Sequence, residues 1–549
     1  MRKFLTRLLL VFLSAVICLS GVASAADTSE DTLRVGLFYD SKALPGANLE
    51  NAVGSGYRFG WYDADLAFHE LGYTSQTQIS MVKTQNVTLS NGNYVDGIGS
   101  VTVGCYHLQL QGSSTSFDGA LDQASRVPGG FPAWIDGAYH VRVGAYTTKE
   151  EAEAARDELG LREAEIVGTS GYAVSVVVTK TGEPIFQFDG GSAYALGVQP
   201  GLDSSVKAVT WFKGYRYYGG FQYVRDHGGN LEVLNVVSLD DYVRGVLPYE
   251  MSNDWPLEAL KAQAVCARTY AVTNTSGHRD FDVCATTHCQ MYQGLNLSNE
   301  HTDQAVDETA GEFVRYHGAP AITYYSASDG GATEDVRNIW NANANLPHLK
   351  GVVDPYEADV ADGISQYNWS YTFTSSELTA EMNDALSGRG YSFTEIINVY
   401  VSEYSETENP ISITFVDRSG KTWSFGPETI RIALGLRSNR FDVTGGDSGG
   451  YSVNDGSETL ASVRGVYAIS GEGSAAAITG EPYVITSSGT KELSAPTTSS
   501  SQGNDSFTFS GAGNGHNVGM SQQGARAMAL RGMDYIDILT FYFSNVEIW

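Results

Sequence analysis

Two spacings of apolar residues alternate along the chain, and together they predict a strand-rich α+β fold. Segments 32–40, 183–189 and 209–225 have the short, glycine-interrupted apolar runs that are typical of strands. Segment 230–246 continues this strand-like pattern. From 255 to 271 the spacing becomes that of a helix, with leucines and alanines along one face. Because alanine permits close approach, we expect this Ala-rich helix to lie at the centre of the core.

Residues 99–182 contain an internal repeat. The two copies begin at Tyr106, "YHLQLQGSSTSFDGALDQA", and at Tyr139, "YHVRVGAYTTKEEAEAARDEL". Each copy predicts a strand, a Ser/Thr-rich turn and a helix. Further strands at 131–135 and 172–179 would complete a βαββαβ unit with both helices on one face of a sheet.

The C-terminal part changes character twice. From about residue 445 to 504 the chain is rich in Gly, Ser and Thr but keeps strand-like runs, which predicts a mobile or loosely structured β-insertion. A strand, a glycine-rich loop at 513–520 and a helix from about Ser521 are then expected to follow.

The first 25 residues are typical of a secretory signal peptide. Arg2, Lys3 and Arg7 precede an apolar run that ends in Ala-Ser-Ala at 23–25. An uncleaved anchor is the alternative. No second long apolar run follows, so we expect no other membrane span. The signal peptide predicts a secreted protein, located at the cell wall or at the outer face of the membrane.

Charge narrows the choice of partners. The 549 residues include 34 basic and 63 acidic side chains, giving a net charge of -29. Such an acidic chain is unsuited to nucleic acid or an anionic membrane as its main partner. The 61 glycines and 32 tyrosines favour a loop-rich exported protein.

Four cysteines follow the predicted signal peptide, enough for two disulfides. Cys266 lies within the predicted helix and Cys105 in a strand-like run, and both positions are ordinary for buried free thiols. Cys284 and Cys289 are close together and need a separate explanation.

The segment "HRDFDVCATTHC" supplies four metal-ligand side chains within twelve residues. These are His278, Cys284, His288 and Cys289. Two cysteines and two histidines form a closed tetrahedral zinc set with no position for water, so we predict a structural zinc ion. The alternatives are a Cys284–Cys289 disulfide or two unrelated thiols.

Glu250 is a carboxyl residue between apolar neighbours. Such surroundings would raise its pKa and keep it protonated as an acid, although an exposed turn glutamate is the simpler alternative. Helix capping accounts for the nearby carboxyls: Asp254 or Trp255 is expected to cap the Ala-rich helix, Pro256 suits its first turn, and Glu258 lies near its positive end.

The stretch "LPYEMSNDWPLEALKAQAVCARTYA" at 247–271 closely resembles the core motif of the stage II sporulation protein D and amidase-enhancer family, SpoIID/LytB. Three further segments resemble the family in the same order, at 324–336, 349–357 and 513–525. The chain departs from the family pattern at Asn514, often aromatic in relatives, and in the long insertion.

Enzymatic members of that family are lytic transglycosylases that cleave MurNAc-GlcNAc bonds in peptidoglycan strands without peptides. The resemblance implies that Glu250 is the catalytic acid. It also implies glycan contacts by Tyr325, Ser326, Ser328, His516 and Gln522. Arg268 is expected either to bind a muramyl carboxylate or to form an ion pair in the core. Some clostridial-type relatives resemble the Cys/His segment and bind zinc near the cleft.

One carboxyl group suffices for this reaction. Glycoside hydrolysis ordinarily uses two carboxyls. In a lytic transglycosylase the muramyl C6 hydroxyl replaces water, so one group protonates the leaving oxygen and then accepts the C6 proton. The alternatives are an amidase enhancer that holds glycan without cutting it and a zinc hydrolase of the wall peptide, which would need an open metal site.

The phrase "YHVRVGAYTTKEEAEAARDEL" resembles the SPOR domain, which binds denuded glycan strands. The alternative is a ferredoxin-like spacer. We therefore predict a signal peptide (1–25), an N-terminal part of the catalytic region (26–98), a SPOR-like glycan-binding domain (99–182) and a SpoIID/LytB domain (185–549). The expected partners are glycan strands and, by resemblance to the sporulation members, a cell-wall amidase.

Overall fold

The computed structural model describes residues 32–445, except 202–205, 275–276 and 341–344, and residues 506–549; within 446–505 it describes only strand backbones. The predicted signal peptide therefore lies outside the described residues, as does most of the predicted insertion. No helix among the described residues combines the length and apolar character needed to cross a bilayer.

The first half of the chain is built mainly from strands, in agreement with the sequence pattern. In chain order they are β1 (Thr32–Phe38), β2 (Gly46–Val53), β3 (Tyr57–Tyr62), β4 (Phe68–Thr74), β5 (Gln78–Lys83), β6 (Val87–Ser90), β7 (Asn93–Asp96), β8 (Thr102–Val103), β9 (Tyr106–Gln109), β10 (Gly130–Ile135), β11 (Ala138–Tyr146), β12 (Glu165–Val167), β13 (Val174–Val178), β14 (Pro184–Asp189), β15 (Leu196–Pro200), β16 (Val209–Phe212), β17 (Tyr215–Tyr217), β18 (Gly220–Val224) and β19 (Glu232–Ser238). Helices α1 (Phe117–Ala124) and α2 (Lys149–Glu158) lie among them.

The second half mixes helices with shorter strands. In chain order the elements are α3 (Leu239–Glu250), α4 (Leu257–Thr273), β20 (Val283–Cys284), α5 (Glu300–Glu308), β21 (Val314–Tyr316), β22 (Ala319–Pro320), β23 (Tyr325–Ser326), α6 (Val336–Ile339), β24 (Asn368–Thr374), α7 (Ser375–Leu386), β25 (Ile396–Tyr404), β26 (Pro410–Asp417), β27 (Thr422–Phe425), α8 (Pro427–Leu434), β28 (Phe441–Gly445), β29 (Tyr451–Val453), β30 (Glu458–Leu460), β31 (Tyr467–Ile469), β32 (Ala475–Ala477), β33 (Tyr483–Thr486), β34 (Gly489–Glu492), β35 (Ser506–Ala512), β36 (Met520–Ser521), α9 (Gln522–Leu530), α10 (Tyr535–Tyr542) and β37 (Glu547–Ile548). Short 3-10 turns lie at Asp40–Lys42, Glu357–Asp359, Ala361–Gly363 and Ser387–Arg389.

Two large sheets organise the first half. Their strand orders are β20-β1-β19-β18-β15-β3-β4 and β12-β9-β11-β10-β14-β13-β5-β2-β16-β17. Strand β1 pairs with β19, so the beginning of the described chain and the strand before α3 share one sheet. The largest buried cluster joins both sheets to α3, α4, α9 and α10, and the Ala-rich helix α4 lies within it as predicted.

Elements β9, α1, β10, β11, α2 and β12 follow the predicted βαββαβ order, and their strands are arranged β12-β9-β11-β10. The strand predicted at 172–179 is present as β13, but it is not the last strand of this unit, because β12 occupies that place beside β9. The valine-rich β13 is buried along most of its length and pairs on both sides, with β14 and β5. The half-exposed, three-residue β12 suits an edge, where only one partner is needed.

Two local predictions around the Ala-rich helix also need correction. The strand-like run 230–246 ends at Ser238, whose hydroxyl accepts the backbone N–H of Asp241 and begins α3. Helix α4 begins after Pro256 without a side-chain capping bond, so the expected cap by Asp254 or Trp255 is wrong. Proline fixes its own φ near the helical value, which suits this boundary.

A second buried cluster gathers α7, α8, β24 to β28 and β35. Strand β35 pairs with both β24 and β28, and therefore returns the chain to this cluster after the region 446–505. The paired strand backbones β29 to β34 are the described part of the predicted Gly/Ser/Thr-rich insertion.

Candidate active site

Glu250 is the last residue of α3, not a residue of an isolated turn. The helix contains Pro248 and ends where Met251 adopts an extended conformation. The C-terminal end of a helix carries partial negative charge, so it is an unfavourable place for an ionised carboxylate. Its location therefore favours the protonated form of Glu250.

Burial raises the pKa of Glu250, the direction that its apolar neighbours in the sequence predict. Hydrogen bonds from the backbone N–H of Met291 and from the side chains of Tyr325 and Gln522 act against this rise. The Met291 nitrogen lies 2.9 Å from Glu250 Oε1. No charged group in the described part of the chain is among the causes of the shift. The carboxyl is thus held by neutral donors.

Two further glutamines, Gln290 and Gln263, hold the donors Tyr325 and Gln522 in place. Gln290 accepts from the Tyr242 hydroxyl at 3.0 Å and donates to the Tyr325 hydroxyl at 2.9 Å. Gln522 donates to Gln263 Oε1 at 3.3 Å, which connects α9 to α4. Each group that contacts Glu250 is therefore held by the helices or by the segment after residue 289.

The structure brings the four predicted metal ligands together, as the sequence predicts. We call them the Cys/His cluster: His278, Cys284, His288 and Cys289. Their ligand atoms lie within 4.8 Å of one another. Cys289 Sγ lies 3.4 Å from His278 Nε2 and 3.5 Å from His288 Nδ1. Cys284 Sγ lies 3.8 Å from the same His288 nitrogen. Ligands around tetrahedral zinc are separated by roughly 3.3–3.8 Å, given Zn–N near 2.0 Å and Zn–S near 2.3 Å.

The donor set therefore fits a zinc ion. Both cysteines are free thiols, so the alternative of a Cys284–Cys289 disulfide finds no support in the structure. The hydrogen bond between the two cysteines lowers the pKa of Cys284 and raises that of Cys289; Thr286 and His288 lower the pKa of Cys284 further, although burial opposes them. Its thiolate form is the form that ligates metal.

The Cys/His cluster is directly connected to Glu250 along the chain. Gln290, which orients Tyr325, and Met291, whose N–H contacts Glu250, follow Cys289 immediately. An ion that immobilised residues 284–289 would also fix these two contacts.

The prediction that Arg268 contacts substrate was wrong. Its side chain is fully buried, and its Nε lies 2.8 Å from Asp240 Oδ1 in the first turn of α3. The remaining guanidinium nitrogens face the backbone oxygens of Glu312 and Val306. Arg268 therefore joins α3 to α4, the alternative that the sequence left open.

Ser328 is also misassigned as a glycan contact. It is 1% exposed, and its hydroxyl donates to Glu357. Ser326 is buried in β23, whose backbone pairs with β36, so direct substrate contact finds no support there. Of the serines in this motif, neither offers an accessible hydroxyl.

His516 packs against the rings of Trp340 and Tyr324. Burial lowers its pKa to about 4, and its Nδ1 accepts the backbone N–H of Val518. His516 is therefore a buried, neutral side chain next to the backbone of Tyr325. A glycan contact by His516 stays a prediction.

Sequence reasoning missed Gln290 and Met291, although both directly follow the Cys/His motif. It also missed three buried carboxyl residues, Asp329, Asp354 and Glu357, which we call the carboxylate cluster. All three lie within the segments quoted for the family resemblance, where carboxyls seventy or more residues beyond Glu250 gave no reason for separate attention.

The part of the chain that contains Glu250 and the Cys/His cluster also matches a known protein family. A family model described as SpoIID, stage II sporulation protein, matches residues 227–316. An uncharacterized protein of Brachyspira hyodysenteriae (strain ATCC 49526 / WA1) is 31% identical over 339 residues, covering 61% of this chain and 73% of that protein.

Two relatives from Bacillus subtilis (strain 168) carry descriptive names. The amidase enhancer is 29% identical over 324 residues, which cover 56% of this chain but only 40% of the enhancer. Stage II sporulation protein D is 23% identical over 336 residues, covering 58% of this chain and 76% of that protein.

Proposed function

The chain belongs to the SpoIID/LytB family of stage II sporulation proteins, and from this premise we propose that it is a peptidoglycan lytic transglycosylase. It cleaves MurNAc-GlcNAc bonds of denuded glycan strands outside the cytoplasm and leaves 1,6-anhydroMurNAc ends. The observation that carries the proposal is the setting of Glu250, a partly buried carboxyl with a raised pKa whose hydrogen-bond donors in the described part of the chain are all neutral.

The chemistry needs one group that gives and then takes a proton. Protonated Glu250 donates to the glycosidic oxygen as the bond to C1 breaks. The resulting carboxylate accepts the proton of the muramyl C6 hydroxyl as that oxygen attacks C1. The donors from Met291, Tyr325 and Gln522 stabilise the carboxylate between these two steps.

A structural zinc ion in the Cys/His cluster is the second part of the proposal. His278, Cys284, His288 and Cys289 would hold it as a closed set. The zinc ion would cross-link the segment that immediately precedes Gln290 and Met291, the two residues that position Tyr325 and contact Glu250. With four protein ligands the ion has no place for substrate or water, which disfavours a zinc hydrolase.

The βαββαβ unit is proposed as a SPOR-like second contact with glycan. Photo-crosslinking of denuded glycan fragments to the whole protein, followed by peptide mass spectrometry, tests this directly. Labelled peptides from residues 106–167 would support glycan binding by the unit. If labels were found only around Glu250, the βαββαβ unit would be a spacer and not a glycan-binding domain.

A second candidate function is an amidase enhancer that holds glycan without cutting it. The observation in its favour is the similarity to the Bacillus subtilis protein of that name. A cell-wall amidase would then be the partner, and it also remains the proposed partner of a transglycosylase that acts on strands after peptide removal.

One assay separates the two functions. The protein is incubated with denuded strands, and separately with intact sacculi and a cell-wall amidase, and products are identified by mass spectrometry. Anhydromuramyl ends from denuded strands without amidase support the transglycosylase. Faster peptide release by the amidase, with no new glycan ends, would assign the enhancer function.

A further inference from the structure

The carboxylate cluster is a second group of acidic side chains, distinct from Glu250, and all three of its members are buried. Asp329, Asp354 and Glu357 are 0%, 3% and 0% exposed, and one carboxylate oxygen of each lies within 4.8 Å of the others. In the described part of the chain no lysine or arginine forms an ion pair with any of them. Buried charges of one sign without a counterion cost several kcal/mol each.

Hydrogen-bond donors surround both oxygens of Glu357. Its Oε1 accepts from the Ser328 hydroxyl and, at 3.1 Å, from the Gly330 N–H. Its Oε2 accepts from the Asp329 N–H at 3.0 Å and from the Ser521 hydroxyl at 2.5 Å. Two of these donors are backbone N–H groups, which can only donate, so each oxygen of Glu357 accepts at least one hydrogen bond.

Asp354 is occupied in a similar way. It accepts from the backbone N–H groups of Tyr356 at 2.7 Å and Glu357 at 3.2 Å, and from the Tyr542 hydroxyl at 2.6 Å. At Gly524 any side chain would collide with Tyr542 and Asp354, so the surrounding helices pack closely around this carboxylate. Both oxygens of Asp354 therefore also accept hydrogen bonds.

Asp329 is the exception. Its Oδ1 accepts the Gly331 N–H at 2.7 Å, but its buried Oδ2 meets no hydrogen-bond donor among the described residues. Asn517, 1% exposed, donates to the Asp329 carbonyl oxygen, and its own Oδ1 likewise has no partner in the part of the chain that the structure describes. A buried acceptor without a donor is costly unless something positive contacts it.

We propose that the carboxylate cluster is a calcium site. Three carboxylates form an all-oxygen set, which suits hard divalent cations and not zinc or copper. Oxygens on opposite sides of calcium are separated by roughly 4.6–5.2 Å, a span that accommodates the cluster. The ion contacts the unpartnered oxygen of Asp329 and balances the negative charge of the carboxylate cluster.

The site joins three segments of the chain around the active site. Asp329 follows Tyr325 by four residues, Asp354 and Glu357 come from the next segment, and Ser521 precedes Gln522. Calcium would therefore stabilise the positions of Tyr325 and Gln522, two of the donors to Glu250.

The test uses the whole, zinc-loaded protein and calcium alone as the probe. Thermal unfolding is followed from excess EGTA to millimolar calcium, with bound zinc and calcium measured in parallel. We expect calcium to raise the melting temperature by about 5 °C, since a ligand that binds only the folded state stabilises it. Asp329→Asn should abolish the response, and the exposed control Asp362→Asn should keep it.

Two results would overturn the calcium site. One is a wild-type protein that holds no calcium and melts at the same temperature throughout the titration. The other is an unchanged calcium response in Asp329→Asn. A proton on Asp329 would then be the alternative: because burial raises its pKa, stability would fall as the pH rises through that raised pKa. Should Asp329→Asn fail to fold, the wild-type calcium content and titration decide.

Discussion

Glu250 and Asp329 are both carboxyl residues whose pKa is raised by burial, yet their surroundings differ. Glu250 is partly exposed at the end of a helix, and the donors that contact it among the described residues are neutral. Asp329 is fully buried beside two further carboxylates that are fixed by several donors each. A raised pKa therefore does not identify the catalytic acid.

Accessibility to substrate shows which of Glu250 and Asp329 can act as the catalytic acid. A general acid must reach the substrate oxygen and exchange its proton in each turnover, which a fully enclosed carboxyl cannot do. The same burial that suits Glu250 for catalysis suits the carboxylate cluster for holding segments together. The predictions below test this division of roles.

The largest expected effect is on turnover. Glu250→Gln keeps the shape of the side chain but removes the exchangeable proton, so the rate should fall by a factor on the order of 10² or more. Binding to denuded strands should persist. Strand cleavage and cosedimentation measure the two quantities separately.

Asp254→Asn is the matched control for that variant. Asp254 is an exposed carboxyl four residues beyond Glu250 and should tolerate the same chemical change with full activity. Wild-type rates in Glu250→Gln would remove the proton-transfer role from Glu250.

The next largest effect concerns the segment that positions Glu250. Cys284→Ser combined with Cys289→Ser should eliminate bound zinc and reduce stability by more than about 5 kcal/mol, below the roughly 10–16 kcal/mol of small zinc domains. Metal analysis and chemical denaturation measure both. Cys105→Ser, outside the cluster, should change neither. A zinc-free native protein of undiminished stability would contradict the proposed metal.

Arg268→Met tests a residue that serves structure only. Removing the guanidinium leaves the Asp240 carboxylate without its partner and should cost about 3–5 kcal/mol of stability. KM for denuded strands should stay unchanged, and adding Asp240→Asn should recover part of the loss. A raised KM at normal stability would instead restore the substrate contact.

The smallest effect is a shift in pH dependence. Activity should fall as the pH rises through the raised pKa of Glu250, because the acid form is then lost. The Tyr325 hydrogen bond lowers that pKa, so Tyr325→Phe should move the descending limb to higher pH. A pH–rate profile for each protein measures the shift; an unmoved limb would show that another group controls it.

Much of this organisation follows from local sequence signals. The Ala-rich helix, the Cys/His cluster and the apolar setting of Glu250 each depend on residues close together in the chain. The strand at 172–179 was misplaced because a valine run predicts a strand but does not specify its neighbours in the sheet.

The remaining errors concern contacts between distant segments. Ser328 and Arg268 have the residue types of glycan-binding side chains, but Glu357 and Asp240 engage them from other elements. The carboxylate cluster likewise becomes visible only when separate loops meet. Neither spacing nor composition reports such pairings.

The most direct test of the central claim is product analysis in water enriched with oxygen-18. If Glu250 alone transfers the proton and the C6 hydroxyl attacks, new muramyl ends are 1,6-anhydro sugars, and cleavage adds no heavy oxygen to them. Immediate mass spectrometry of strands digested by the wild-type protein gives this result. New ends that carry solvent oxygen at C1 from the moment of cleavage would show that water attacks, and would contradict the single-carboxyl transglycosylase.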